Sequence, residues 1–145
     1  MKITHDIRTT LWCGPAAISA STGEPTSKIM ALAKHFTRDK VVKGISNRTL
    51  ISTLDALGYR VEVVYESIHS FFSGGPPRPT LAAWTKANAG IFSEHPVIIM
   101  VTGHYVTVKG RLFVDTMTPG YAPVRLKKAP GRRSRVCRAW RITKK

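Results

Sequence analysis

With 145 residues, 43% of them hydrophobic, the chain is long enough to bury a real core, and wholesale disorder is excluded. No apolar run reaches the length that spans a bilayer; the best, residues 96–102, has the length of a strand. The net charge of +15 favours anionic partners: nucleic acid, acidic proteins or anionic surfaces.

The start, MKITHDIRTT, lacks the apolar run of a signal peptide, so a soluble cytoplasmic protein is expected. Next comes TTLWCGPAAISASTG, which puts Cys13 at the mouth of a predicted helix over 14–22. Pro15 suits the first turn, where a missing N–H costs nothing, and Gly23 suits the stop. A second helix is predicted over 26–36. Ile29, Leu32, Ala33 and Phe36 share one face, and Thr26 or Ser27 is placed to cap it. A third starts after Ser46, carries Leu50, Ile51, Leu54 and Leu57 as its stripe, and ends at Gly58.

The period then changes. Residues 60–65, RVEVVY, read as a strand, and 67–79 as a Gly- and Pro-rich loop with Phe71 and Phe72 as either anchors or an exposed contact patch. A short helix over 80–88 has Thr80 as its cap. Strands follow at 96–101, 104–109, 111–115 and 135–142, with a tight turn at Lys109-Gly110. Helices lead and an antiparallel sheet follows, so the class is α+β, in one domain over 1–145.

Ten of the residues from 124 to 145 are Lys or Arg and none is acidic. Val136, Trp140 and Ile142 alternate as in a strand, so this basic segment is expected to be folded. Arg132, Arg133, Arg135 and Arg138 are the candidate polyanion contacts, against the plainer reading of a solvated basic face. Small size and high basicity also suggest a phage-encoded or virion-packaged protein.

Cys13 and Cys137 are too few for a disulfide framework, although a single bridge between them stays open. Neither has a Cys or His at ligand spacing, so neither metal nor cofactor is expected. His5, His35, His69 and His95 read as surface or loop residues, and Cys137 as a strand residue without chemistry. Cys13 is different. A thiol at a helix N-terminus lies in the positive end of the dipole, which favours thiolate. His104 opens one strand and Asp115 closes the next. If the chain turns between them, the two face each other across the ladder. The carboxylate then fixes the imidazole tautomer and leaves the other ring nitrogen for a thiol.

The stretches CGPAAI (13–18), GHYVTVKGRLFVD (103–115) and TPG (118–120) resemble papain-like cysteine peptidases. The resemblance is to the compact bacterial branch that includes bacteriocin-leader processing peptidases. It implies a papain-like fold, N-terminal helices packed on a C-terminal antiparallel sheet, and a protein or peptide substrate. It also implies nucleophile, general base and base-orienting roles for Cys13, His104 and Asp115. One departure stands out. The family places a glutamine just before the cysteine as oxyanion donor, and this chain contains no glutamine. The matching residues offer His5, Arg8, Thr9 and Thr10, with Arg8, Thr9 and Thr10 the candidate donors beside the Cys13 N–H. The alternative is a catalytically inactive papain-like module that binds a nucleic acid or an acidic partner through its basic segment.

Overall fold

The computed structural model describes residues 1–37, 44–67 and 77–145. Phe71, Phe72, His69 and most of the expected Gly- and Pro-rich loop lie outside the described residues. The helices are α1 (Cys13–Thr22), α2 (Thr26–Phe36), α3 (Asn47–Ala56) and α4 (Leu81–Ala87). The strands are β1 (Tyr59–Glu66), β2 (Val97–Val101), β3 (His104–Lys109), β4 (Leu112–Val114), β5 (Val124–Arg125) and β6 (Val136–Lys144). They form one antiparallel sheet in the order β1-β6-β2-β3-β4-β5. The α+β architecture is the one expected. β5 and three short 3-10 turns are additions, because pieces of two to four residues carry no readable period.

The caps explain where the helices begin. Ser46 accepts a hydrogen bond from the Thr49 N–H at 3.2 Å, and Thr80 accepts one from the Ala83 N–H at 3.1 Å. At α2 the expectation fails: Pro25 holds the cap position and no residue there caps with its side chain. Asp6 does it from a distance instead. Its Oδ1 accepts the Ser27 N–H at 2.8 Å and its Oδ2 accepts the Ser27 hydroxyl at 2.5 Å. A carboxylate is well suited to the positive end of a helix, and these bonds hold the Asp6 pKa below its usual value.

Both sheet faces are covered. On one, Ile18, Ile29, Leu50 and Leu54 of α1 to α3 pack against Ile98, Tyr105, Trp140 and Ile142. On the other, Leu81, Trp84 and Phe92 pack against Val97, Ile99, Val106, Val108 and Phe113. Each large apolar side chain so buried contributes roughly 1.5–3 kcal/mol relative to exposure. Two stripe residues drop out. Phe36 is 45% exposed at the last turn of α2, and Ile51 is 36% exposed on the outer side of α3. The expected alternation along β6 also breaks. The β2–β6 register shifts between Met100 and Val101, so Val136 joins the α4 face whereas Trp140 and Ile142 join the α1 face.

Two glycines position the candidate site. A Cβ at Gly14 would meet Ile45 Cγ1 at 2.3 Å, so any larger residue would have to displace the Ile45 side chain where the start of α1 closes on the segment before α3. Gly103, at φ +70, completes a two-residue turn between the paired Val101 and His104, and this turn launches β3. The second turn consists of Gly110 and Arg111. Lys109 already pairs with Leu112, one residue later than expected.

Candidate active site

The start of α1, the start of β3 and the end of β4 converge at one end of the sheet. No side chain caps α1, whose cap position is held by Trp12. His104 Nε2 lies 3.1 Å from Asp115 Oδ2. An ionised carboxylate only accepts, so Nε2 carries the hydrogen and Nδ1 is the nitrogen left for the thiol. Extending the β3–β4 register by one pair sets Asp115 level with Val106 rather than His104. The imidazole and carboxylate therefore meet diagonally rather than face to face, still within reach of side chains this long.

Asp115 is held on every side. Its side chain is 3% exposed, and Oδ1 accepts the Met117 N–H at 2.8 Å. Its backbone carbonyl accepts the Thr118 hydroxyl at 2.8 Å, and Thr118 is itself buried. The TPG stretch thus locks the carboxylate from behind. His104 keeps 27% of its side chain exposed, which leaves it open to a bound molecule.

Electrostatics couple the thiol to the imidazole. Burial pushes the Cys13 thiol up. Hydrogen bonding with His104, the Tyr105 N–H, the imidazolium charge and the Gly14 N–H act against this, and the net direction is down from 9.0. His104 is raised from 6.5 to about 9, first by the Asp115 hydrogen bond and next by the one with Cys13; burial opposes both. A thiol moved down beside an imidazole moved up means that each favours the charged form of the other.

Tyr105 and Asn47 are participants that the sequence alone did not single out. The Tyr105 N–H favours the Cys13 thiolate, while its phenol O–H donates to Asn47 Oδ1 at 2.5 Å with the Ile45 carbonyl 3.2 Å away. Burial, then the Cys13 charge, pushes the phenol up to about 12, so it stays a donor. The position directly after His104 was a usable signal for Tyr105. Asn47, 58 positions away, gave none.

Arg8, Thr9 and Thr10 are exposed on the segment leading into α1. Leu11 turns away from the site, into a small cluster with Ile3, Ala16, Ala20 and Val114. His5 is not a loose surface residue: its Nδ1 lies 3.2 Å from Thr26 Oγ1 and its ring meets Tyr121 edge-on. Both cysteines are free, and Cys137 Sγ lies 2.7 Å from an Arg78 guanidinium nitrogen. The four candidate polyanion arginines do not act alike. Arg138 is ion-paired with Glu66 and Arg135 donates to the Arg78 carbonyl at 2.8 Å, whereas Arg132 and Arg133 are exposed.

No protein-family model matches the chain, and no curated protein matches it in sequence. Among solved structures, a similar one is the peptidase domain of Streptococcus ComA, described as a bi-functional ABC transporter involved in a quorum-sensing pathway. The TM-score is 0.54 at 16% identity, and the match covers 98% of this chain and 96% of that one. The fold is papain-like. At that identity the likeness speaks for the fold, and any chemistry has to be argued from the side chains. No helix among the described residues is long and apolar enough to cross a membrane.

Proposed function

We propose that this protein is a papain-like cysteine peptidase, or a related thiol acyl-transfer hydrolase, with residues 1–145 acting as one domain. The observation that supports the reading is the 3.1 Å contact of His104 Nε2 with the buried Asp115 carboxylate, beside a Cys13 thiol and a His104 imidazole shifted in opposite directions. In this reading the Cys13 thiolate attacks the substrate carbonyl carbon, and its electron pair forms the C–S bond while the carbonyl pair moves onto oxygen. His104 then gives its Nδ1 proton to the leaving amine as the C–N bond breaks, which leaves a thioester. Water next loses a proton to His104 and attacks the thioester. The acid departs and the ion pair is restored. Asp115 stays ionised throughout and keeps the ring in the productive tautomer.

The oxyanion is held by the Cys13 N–H at the helix start and by a donor from Arg8, Thr9 or Thr10 in place of the family's glutamine. A guanidinium does this best, because it is always charged and offers several donors. The absence of glutamine also favours the second reading, a papain-like binding module without turnover. A cysteine-directed acyloxymethyl ketone probe separates the two. In a Cys137→Ser background it is expected to label Cys13 stoichiometrically near neutral pH, with labelling lost in Cys13→Ala and greatly slowed in His104→Ala. Labelling no faster than that of a free thiol peptide would remove the enzyme reading.

A further inference from the structure

A concavity lies away from the candidate site. It has a volume of about 420 Å³ and an apolar wall formed by Leu81, Ala82, Phe92 and Leu126. Leu81 and Phe92 belong to the α4 face of the sheet, opposite α1. The cleft includes the Gly110–Arg111 turn, at the far end of β3 from His104. Six residue steps separate His104 from Gly110, about 20 Å along a strand, so this is not an extension of the Cys13 site.

The cleft is built rather than incidental. The Ala82 N–H donates to the Arg132 carbonyl at 3.0 Å, the Leu126 N–H to the Arg111 carbonyl at 2.8 Å, and the Gly110 N–H to the Phe92 carbonyl at 2.6 Å. These three backbone bonds tie α4, the β3–β4 turn and the 126–132 segment into fixed walls. The charged residues lining it are all of one sign: Lys86, Arg111, Arg125, Lys127 and Arg132. Among the described residues, no carboxylate lies within ion-pair distance of any of the five. Elsewhere the chain does pair its cations across the sheet, as in Arg141–Glu62 and Arg138–Glu66. Like charges gathered around a low-dielectric wall repel one another and focus a positive field, which an entering anion relieves. The volume falls in the range of small-molecule pockets, roughly 300–1,000 Å³, which combine apolar walls with a few charged groups.

We infer that this cleft is a binding site for a small amphipathic anion: a molecule with an aliphatic or aromatic body and one carboxylate or phosphate. The body lies against Ala82, Ala89, Leu126 and the aliphatic stems of the lining cations, over the buried Leu81 and Phe92, and the anionic head is held between Arg111 and Arg125. A polynucleotide fits less well. Phe92 is only 1% exposed and offers no ring for base stacking, and the apolar wall has nothing to gain from a sugar–phosphate backbone.

The test uses the full chain with decanoate as probe and decanol as the uncharged control, followed by amide NMR and calorimetry. Decanoate is expected to bind one-to-one, with shift changes confined to residues 81–92, 110–112 and 125–132 and none at Cys13 or His104. The double variant Arg111→Ser, Arg125→Ser is expected to weaken it at least tenfold, and Ala82→Trp, which fills the cleft, to abolish it. Both substituted arginines are exposed, so the double variant should keep its circular dichroism and thermal midpoint. This keeps the test valid if the tryptophan variant misfolds. Decanol binding as tightly as decanoate would overturn the proposal, as would shift changes outside the cleft. Binding of heparin that weakens in the same double variant, with no decanoate binding, would instead make this face a polyanion surface and also overturn it.

Discussion

Asp115→Asn isolates what the carboxylate does. The change is nearly isosteric in a position that is 3% exposed, so packing is kept and the charge is removed. The amide oxygen is expected to stay on the Met117 N–H, which lies 2.8 Å from Oδ1. The amide NH2 then faces His104 Nε2, which has to become an acceptor, and the ring proton moves to Nδ1, toward the sulfur. Such a ring cannot take the thiol proton. The Asp115 hydrogen bond is the first of the causes that raise His104 from 6.5 to about 9. Its loss should bring the His104 midpoint down by about one to two pH units, each worth about 1.4 kcal/mol. Ring-nitrogen NMR on labelled histidine follows this midpoint directly and does not require a substrate. Hydrolysis, where measurable, should fall on the order of 10²–10⁴-fold, the usual contribution of positioned acid–base catalysis. A His104 midpoint unchanged in Asp115→Asn would refute the reasoning, since the carboxylate would then not be what holds the imidazolium.

Cys13→Ala should abolish hydrolysis and leave the circular dichroism unchanged, because the first turn of α1 accepts alanine; full activity in that variant would end the enzyme reading. His104→Ala should raise the Cys13 pKa, read by iodoacetamide alkylation against pH, and an unmoved titration would mean that the two groups do not interact. Stability against pH follows from the same pair. His104, raised on folding, adds stability that is fully present below 6.5 and lost as pH rises through about 9, while the depressed Cys13 contributes in the opposite sense. In the wild type the thiol's lost proton offsets part of the imidazole's gained one, so the dependence on pH is shallower than in a chain without the thiol. Cys13→Ala should lose stability as pH rises from 6.5, at up to about 1.4 kcal/mol per pH unit, and equal urea midpoints for that variant at pH 6 and pH 9 would contradict this. Arg8→Ala should lower kcat on the order of 10²–10³-fold with little change in KM, and Thr9→Ala or Thr10→Ala much less; the reverse order would move the oxyanion donor to a hydroxyl. Duplex DNA binding, measured by anisotropy across a salt series, should lose about 2 from its log–log slope in the double variant Arg132→Ala, Arg133→Ala, and an unchanged slope would return that segment to a solvated face.

Much of the fold was legible because its cues are local. Pro15 and Gly23 bracket α1, Ser46 and Thr80 cap α3 and α4, and glycines mark the two hairpin turns, each acting within a few residues of itself. The order of Cys13, His104 and Asp115 could likewise be read along the chain, and with it the candidate chemistry. What depends on distant parts of the chain could not. Asp6 caps α2 from 21 positions away, and a register shift opposite Val101 sends Val136 and Trp140 to different faces. Tyr105 reaches across 58 positions to Asn47, and the diagonal meeting of His104 with Asp115 depends on where the β3–β4 turn falls. The basic segment shows the contrast most plainly. Its charge was visible by counting, but which arginines are paired, and that Arg125 and Arg132 join Lys86 and Arg111 around one apolar cleft, was decided only when α4 and the strand ends came together. Propensity and capping act over one turn of chain. Pairing, desolvation and the fields that move a thiol or an imidazole act through space, so tertiary structure decides them.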